Sequence, residues 1–348
     1  MAPLRKTATN EENDVSTTHH KLEVVQEELE VLNETSATHR APSTVITEEK
    51  EVPPQEPAAV EDEISLRIHE KVASIASKAY RRASAKSNVL SRDKVAGIAL
   101  VNFEDLTVGE LLGKGSFSYV HEITKISSPP NEREDKEHAH DPRSILTANY
   151  QREDSKSYRY AVKFLKDSVR DAPEKFAIGT VDLVVEGMFL ASLTHPNIIK
   201  VRALPEGGVQ SLVEHHLNTK GYFLVLDRLF DTLSERIYNK WQDEHCVVGL
   251  MSSGCFCLPF GKKYDQAMKE EMKCLGERLK VAFDISAALK FLHSKNIIYR
   301  DLKPENLGFD GEFVFIFFHE LYLTRDDHPN FARSHAFLLL PLLTVTVS

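Results

Sequence analysis

The order in which hydrophobic patterns appear along the chain constrains its fold more than any other feature. From about residue 100, short alternating runs come first. FEDLTVGELLGKGSFSYVHEITKI holds two such runs around a glycine-rich turn, the pattern of a two-stranded hairpin. YRYAVKFL is a further strand, and GYFLVLDRLF is a buried one. Between them TVDLVVEGMFLASLTH reads as a helix, with Thr180 placed to cap its N-terminus. LGERLKVAFDISAALKFLH follows, with Leu275, Leu279, Ala282, Ile285, Leu289 and Leu292 at helical spacing. Strands before helices predict an α+β arrangement in which a sheet-based lobe precedes a helical one.

The 348 residues are enough for one large domain or two smaller ones. The N-terminal stretch is rich in Glu, Thr, Ser and Pro, and TEEKEVPPQEPAAVEDE cannot bury enough apolar surface to offset its ordering entropy. Two short helices are expected to interrupt it, one marked by Leu22, Val25, Leu29 and Leu32, the other by Ile68, Val72, Ile75 and Ala79. SSPPNEREDKEHAHDPRSILTANYQREDSKS reads as a long polar loop. A net charge of −9 argues against a general nucleic-acid or anionic-membrane partner. HAFLLLPLLTVTV falls short of the roughly 20 residues that span a bilayer. The four cysteines, Cys246, Cys255, Cys257 and Cys274, are too few for a disulfide framework. With no apolar leader in MAPLRKTATNEEND, they point to a reducing compartment, the cytoplasm or nucleus.

Three features carry chemistry. Leu112-Gly113-Lys114-Gly115-Ser116-Phe117-Ser118-Tyr119-Val120 is a glycine-rich turn with Ser118 where a third glycine would stand. Glycines let a backbone approach phosphate oxygens closely, although many hairpins carry two glycines without a ligand. In YAVKFL, alternation puts Ala161 and Lys163 on one face and Lys166 on the other. The small residue beside Lys163 leaves room for a flat ligand, but an exposed strand lysine has the same appearance. Glu186 lies in the apolar stripe of Leu183, Leu190 and Leu193. A carboxylate there is costly unless paired, and the preceding strand offers Lys163. A buried ion pair with no catalytic part is the plainer form of that reading.

Tyr299-Arg300-Asp301-Leu302-Lys303-Pro304-Glu305-Asn306 draws these features together. The segment resembles the catalytic loop of eukaryotic protein kinases, H-R-D-L-x-x-x-N, with Tyr299 in place of the histidine. The resemblance runs in family order through the glycine-rich loop, the AVK strand, the helix glutamate, HPNII at 195–199 and FLHSKNIIY, covering about residues 105–311.

It implies a bilobal, kinase-like α+β fold. Residues 1–98 would be largely disordered, 99–226 a small β-rich lobe with a polar insertion at 126–157, and 227–311 an incomplete helical lobe with an insertion at 243–268. Residues 312–348 would be an atypical tail. It also implies ATP and Mg2+ as cofactors and a protein substrate with a serine or threonine hydroxyl, since KPEN is similar to the serine/threonine branch. By resemblance, Asp301 would orient the hydroxyl and accept its proton, Lys303 would neutralise the transferring group, and Asn306 would ligate the metal. Lys163 would hold the α- and β-phosphates, fixed in place by Glu186. Leu112, Gly113, Lys114, Gly115 and Ser116 would cover the nucleotide, and Val120 and Ala161 would sandwich the adenine. Asp227 and Leu229 would offer it backbone groups, and Leu226 would control the pocket behind.

The pattern then breaks. Kinases need a second metal ligand, the aspartate of D-F-G, and aligning VFIF with the preceding strand puts Phe318-His319-Glu320 there. Phenyl carbon cannot ligate magnesium. No A-P-E follows, so the chain is expected to leave the family pattern near Gly311, as a retained intron or shifted frame, a truncated isoform or a degenerate kinase would each cause. Two functions remain open: a serine/threonine kinase by family, or a non-catalytic pseudokinase or regulatory fragment that acts through nucleotide binding. The chain as written is expected to fold poorly, to transfer no phosphate and to leave apolar surface of the helix at 275–292 uncovered.

Overall fold

A computed structural model describes residues 57–86, 97–127, 141–151, 158–214, 220–241, 262–299, 302–310, 314–316 and 321–323. The glycine-rich turn joins β2 (Leu106–Lys114) and β3 (Ser118–Ile126), which pair antiparallel from Leu106 against Ile126 to Lys114 against Tyr119. β4 (Tyr160–Leu165), β6 (Phe223–Asp227), β5 (Val201–Pro205) and β1 (Ala99–Val101) complete a six-stranded sheet in the order β1-β5-β6-β4-β3-β2. Only β1 and β5 run parallel.

Alternation along the strands divides the sheet into two faces. Tyr160, Val162 and Phe164 join Phe223, Val225, Ile123 and Leu106 in an outer cluster. Phe103 stands edge-on to Phe164 and Phe223, with ring centroids 5.4 and 5.3 Å away. Leu165, Leu224 and Leu226 belong to the inner cluster, which continues through α3 (Pro173–Ser192) into the second lobe. α3 carries Leu183, Glu186, Leu190 and Leu193 at its buried face and C-terminal end, as the stripe predicts.

Several expectations need correction. Thr180 is fully buried inside α3 rather than at its N-cap, which is Ala172. Pro173 occupies the first helical position, where its fixed φ suits the helix and its missing N–H costs nothing, so the helix starts well upstream. The polar insertion at 126–157 is not all loop. Asp141 caps α2 (Pro142–Ala148) by accepting from the N–H groups of Arg143 and Ser144. Arg143 then pairs with Asp105 at 2.8 Å, and Leu146 enters the outer cluster.

The second stripe of the N-terminal region lies on a helix far longer than the short one expected: α1 (Pro57–Lys86), with 30 residues. Val72, Ala73, Ile75 and Ala76 are buried in the inner cluster, and His69 meets the Phe176 ring of α3 edge-on at 5.0 Å. The first stripe, at Leu22 to Leu32, lies outside the described residues.

In the second lobe, α4 (Lys262–Ser294) begins inside the stretch read as an insertion at 243–268. Ile285, Leu289 and Leu292 are buried as expected, but Leu279 is 49% exposed. Cys274, Arg278, Val281 and Ala288 are buried instead. Arg278 defeats an apolar count because its guanidinium lies over the Trp241 ring and donates to the Trp241 carbonyl at 3.0 Å. β7 (Asp231–Thr232), β9 (Leu307–Phe309) and β10 (Val314–Ile316) form a small antiparallel sheet. β8 (Ile297–Tyr299) pairs with β11 (Leu321–Leu323). The tail beyond residue 311 thus adds two strands to the second lobe. Among the described residues no helix is long and apolar enough to cross a membrane.

Candidate functional site

Lys163 and Glu186 meet because of the elements that carry them. Lys163 points from the inner face of β4, paired across to Val120 on β3 and Leu224 on β6. Glu186 rises from α3 beneath. Its neighbour Gly187 lets the helix settle on the sheet, since a Cβ there would stand 2.5 Å from Leu224 Cδ2. Lys163 Nζ donates to both carboxylate oxygens, at 2.6 and 2.8 Å. The side chains are only 8% and 10% exposed, so each charge depends on the other. Burial pushes the Glu186 carboxyl up from its ordinary value, against the pull of the Lys163 ammonium and its hydrogen bond.

Val120 and Ala161 lie on the same inward face as Lys163, and Leu226 is buried beside them. β6 runs out into Asp227-Arg228-Leu229. Arg202 holds the Asp227 carboxylate with two bonds, at 2.7 and 3.1 Å. The Asp227 N–H donates to the Lys200 carbonyl at 3.2 Å and the Arg228 N–H to that of Arg159 at 2.8 Å. Leu229 is half-buried against the inner cluster.

Sequence reasoning missed Arg228, whose guanidinium pairs with Glu122 on β3. The signal was present: Glu122 follows Val120 on the inward face, where a carboxylate needs a cation. Gly109 makes room for it, because a Cβ at 109 would stand 2.9 Å from Glu122 Oε2.

The glycine-rich turn is closed by the Gly115 N–H donating to the Ser118 carbonyl at 2.9 Å. Leu112 and Gly113 are half-buried at the end of β2, while Lys114 and Ser116 are exposed. Ser118, at the third-glycine position, is a buried residue that begins β3. Lys166 was also missed: its ammonium reaches back to the carbonyls of Gly115 and Ser116.

In the second lobe Asn306 is buried, and its N–H donates to the Lys303 carbonyl at 2.9 Å across a short 3-10 turn. Lys303 is exposed. The turn is tied to the outgoing hinge, because the Phe230 N–H donates to the carbonyl of Phe309 at 2.7 Å. Arg236 lies 3.3 Å from the Phe309 ring centroid and bonds Asp231 at 2.6 and 3.1 Å. Asp301 lies outside the described residues, as do Phe318-His319-Glu320, His138, His140, Cys246, Cys255 and Cys257. Cys274 is a buried thiol on α4. The described part therefore joins a buried ammonium, an adjoining apolar roof and a glycine-rich turn. Such a roof suits a flat ring, and the other two features suit anionic groups.

Comparison with known proteins agrees with this geometry. Residues 106–312, more than half the chain, match the sequence model of the protein tyrosine and serine/threonine kinase family. A probable serine/threonine-protein kinase of Dictyostelium discoideum is 23% identical over 210 residues, 60% of this chain and 22% of that protein. The human cAMP-dependent protein kinase catalytic subunit PRKX is 30% identical over 134 residues, 38% of this chain and 34% of that one. A cAMP-dependent protein kinase catalytic subunit of Dictyostelium discoideum is 33% identical over 105 residues, 30% of this chain and 15% of that one. The matches thus span between about a seventh and a third of these relatives.

Proposed function

The chain belongs to the protein tyrosine and serine/threonine kinase family, and from that premise we propose that it binds ATP with Mg2+ between its lobes and phosphorylates a serine or threonine hydroxyl of a protein. The observation that carries this reading is the Lys163–Glu186 pair, a buried charge pair on the inner face of the sheet beside Val120. When bound, ATP supplies the phosphoryl group and Mg2+ spreads its charge.

The chain's own residues do the rest by positioning and charge. Glu186 holds the Lys163 ammonium where α- and β-phosphate oxygens would lie. The roof of Val120 and Ala161 receives the adenine, and the backbone of Asp227 and Leu229 bonds its edge. The turn from Leu112 to Ser116 covers the phosphates. Asn306 offers a carbonyl oxygen to the metal, which suits a hard cation. Asp301 takes the hydroxyl proton, and Lys303 screens the transferring group. Serine/threonine specificity rests on KPEN at 303–306 and on the names of the relatives.

A second reading has its own support. Aligning VFIF with the strand before D-F-G puts Phe318 in place of the metal-binding aspartate, which favours nucleotide binding without transfer. Calorimetric titration with ATP, with and without Mg2+, beside a phosphotransfer assay on a generic serine/threonine substrate, separates the two. Kinase activity predicts Mg2+-dependent binding and a turnover that Asp301→Asn lowers by about 100-fold or more with affinity retained. Binding indifferent to Mg2+, with no turnover, selects the second reading. Absence of any nucleotide binding overturns both.

A further inference from the structure

We propose that Lys166 is a positioning residue for the glycine-rich turn, gripping the carbonyls of Gly115 and Ser116 so that the N–H groups of Ser116 and Phe117 face the side of the sheet that carries Lys163. The inference rests on the nucleotide-binding reading and extends it to a residue outside the family motifs.

Lys166 directly follows β4 and falls on the outer side, opposite Lys163. Its backbone is anchored there. Its N–H donates to the Phe117 carbonyl at 3.0 Å, and its own carbonyl accepts from the N–H groups of Val169 and Arg170 at 3.0 and 3.1 Å. From this fixed base the ammonium bonds the Gly115 carbonyl and, at 2.9 Å, that of Ser116. It also lies over the Tyr119 ring, 5.4 Å from the centroid.

No peptide bond here is cis. In a trans peptide the carbonyl of one residue and the N–H of the next point in opposite directions. Drawing the Gly115 and Ser116 carbonyls outward therefore turns the Ser116 and Phe117 N–H groups inward. The Phe117 side chain packs on the inner cluster, which holds the turn from that side as well. Two successive N–H groups aimed one way form a concavity for an anion. Beside the Lys163 ammonium, the ligand they suit is the polyphosphate of a nucleotide.

The test compares the parent chain with Lys166→Met and Lys166→Arg. Without nucleotide, amide exchange at Gly115, whose N–H closes the turn on the Ser118 carbonyl, is expected to rise about tenfold in Lys166→Met, as for loss of one charge-assisted hydrogen bond. Lys166→Arg should restore it. Affinity for a non-hydrolysable ATP analogue should fall by a similar factor, while affinity for adenosine is unchanged. Unmoved exchange, an equal loss for adenosine, or an unchanged triphosphate affinity would each overturn the proposal. A parent that binds no nucleotide removes the phosphate-facing role and the functional reading together, while the exchange measurement still reports on the grip alone. A thermal melt of each variant separates these effects from unfolding.

Discussion

Removing one partner of the Lys163–Glu186 pair leaves the other charge buried. Lys163→Met is expected to cost about 3 kcal/mol or more, and adding Glu186→Leu should recover most of that loss, because a packed apolar pair needs no compensation. Urea unfolding of the single and double variants checks this independently of catalysis. A pH dependence belongs to His195. Its Nδ1 accepts from the Asn197 N–H at 3.1 Å, and its ring packs on Phe291 at 5.0 Å. Burial pushes this imidazole below its ordinary value, with Asp284 pulling the other way. The native state thus refuses a proton that the unfolded chain accepts near pH 6.5, so this contribution to stability is whole above about 6.5 and lost as pH falls below it. His195→Asn should flatten the change in melting temperature between about pH 7.5 and 5.5. At this scale the sequence was informative where a charge stood in an apolar stripe, as Glu186 does. Lys166 could not be found that way, and for Arg228 the sequence showed only that Glu122 needs a cation, not which one. Their partners are a loop carbonyl pair and a carboxylate on another strand, contacts that exist only once the chain has turned back on itself.

Elements with a clear apolar pattern could be read from the sequence: β4 and β6 as short strands, the latter a buried one, and the buried end of α4 from its leucines. Those that depend on a docking partner could not. α2 has a single buried residue, Leu146, and its place is set by the Arg143–Asp105 bridge. The stripe from Ile68 to Ala79 marked a short helix, but neither the full reach of α1 from Pro57 to Lys86 nor the burial of its small residues could be read before α3 was in place. Ala76 is fully buried there, between turns that carry Val72 and Tyr80. Ala76→Asp should therefore detach α1, because a lone carboxylate cannot be held in that contact without a partner. The expected outcome is rapid proteolysis between residues 57 and 86 and faster amide exchange along α3, while the outer cluster stays protected. Unchanged exchange along α3 would show that the two helices are not mechanically joined.

Across the whole molecule, α4 leaves an apolar flank in solvent. Phe283 is 73% exposed, Leu279 49% and Met272 62%, with Leu279 and Phe283 one turn apart on the same face. A flank of this kind promotes self-association. Sedimentation should show concentration-dependent oligomers for the parent chain, and Leu279→Glu with Phe283→Lys should shift it toward monomer without lowering its melting temperature. The strand pairing of the tail has another consequence. β10 lies along β9, just beyond Asn306, and β11 lies along β8, just before the loop that holds Asp301. The two strands of the tail thus pair with segments on either side of Asp301 in the chain, one upstream of it and one downstream. On the nucleotide-binding reading without transfer, Phe318→Asp should turn Mg2+-indifferent uptake of nucleotide into uptake that chelators reverse, a gain made by a single codon, and titration with and without chelator checks it.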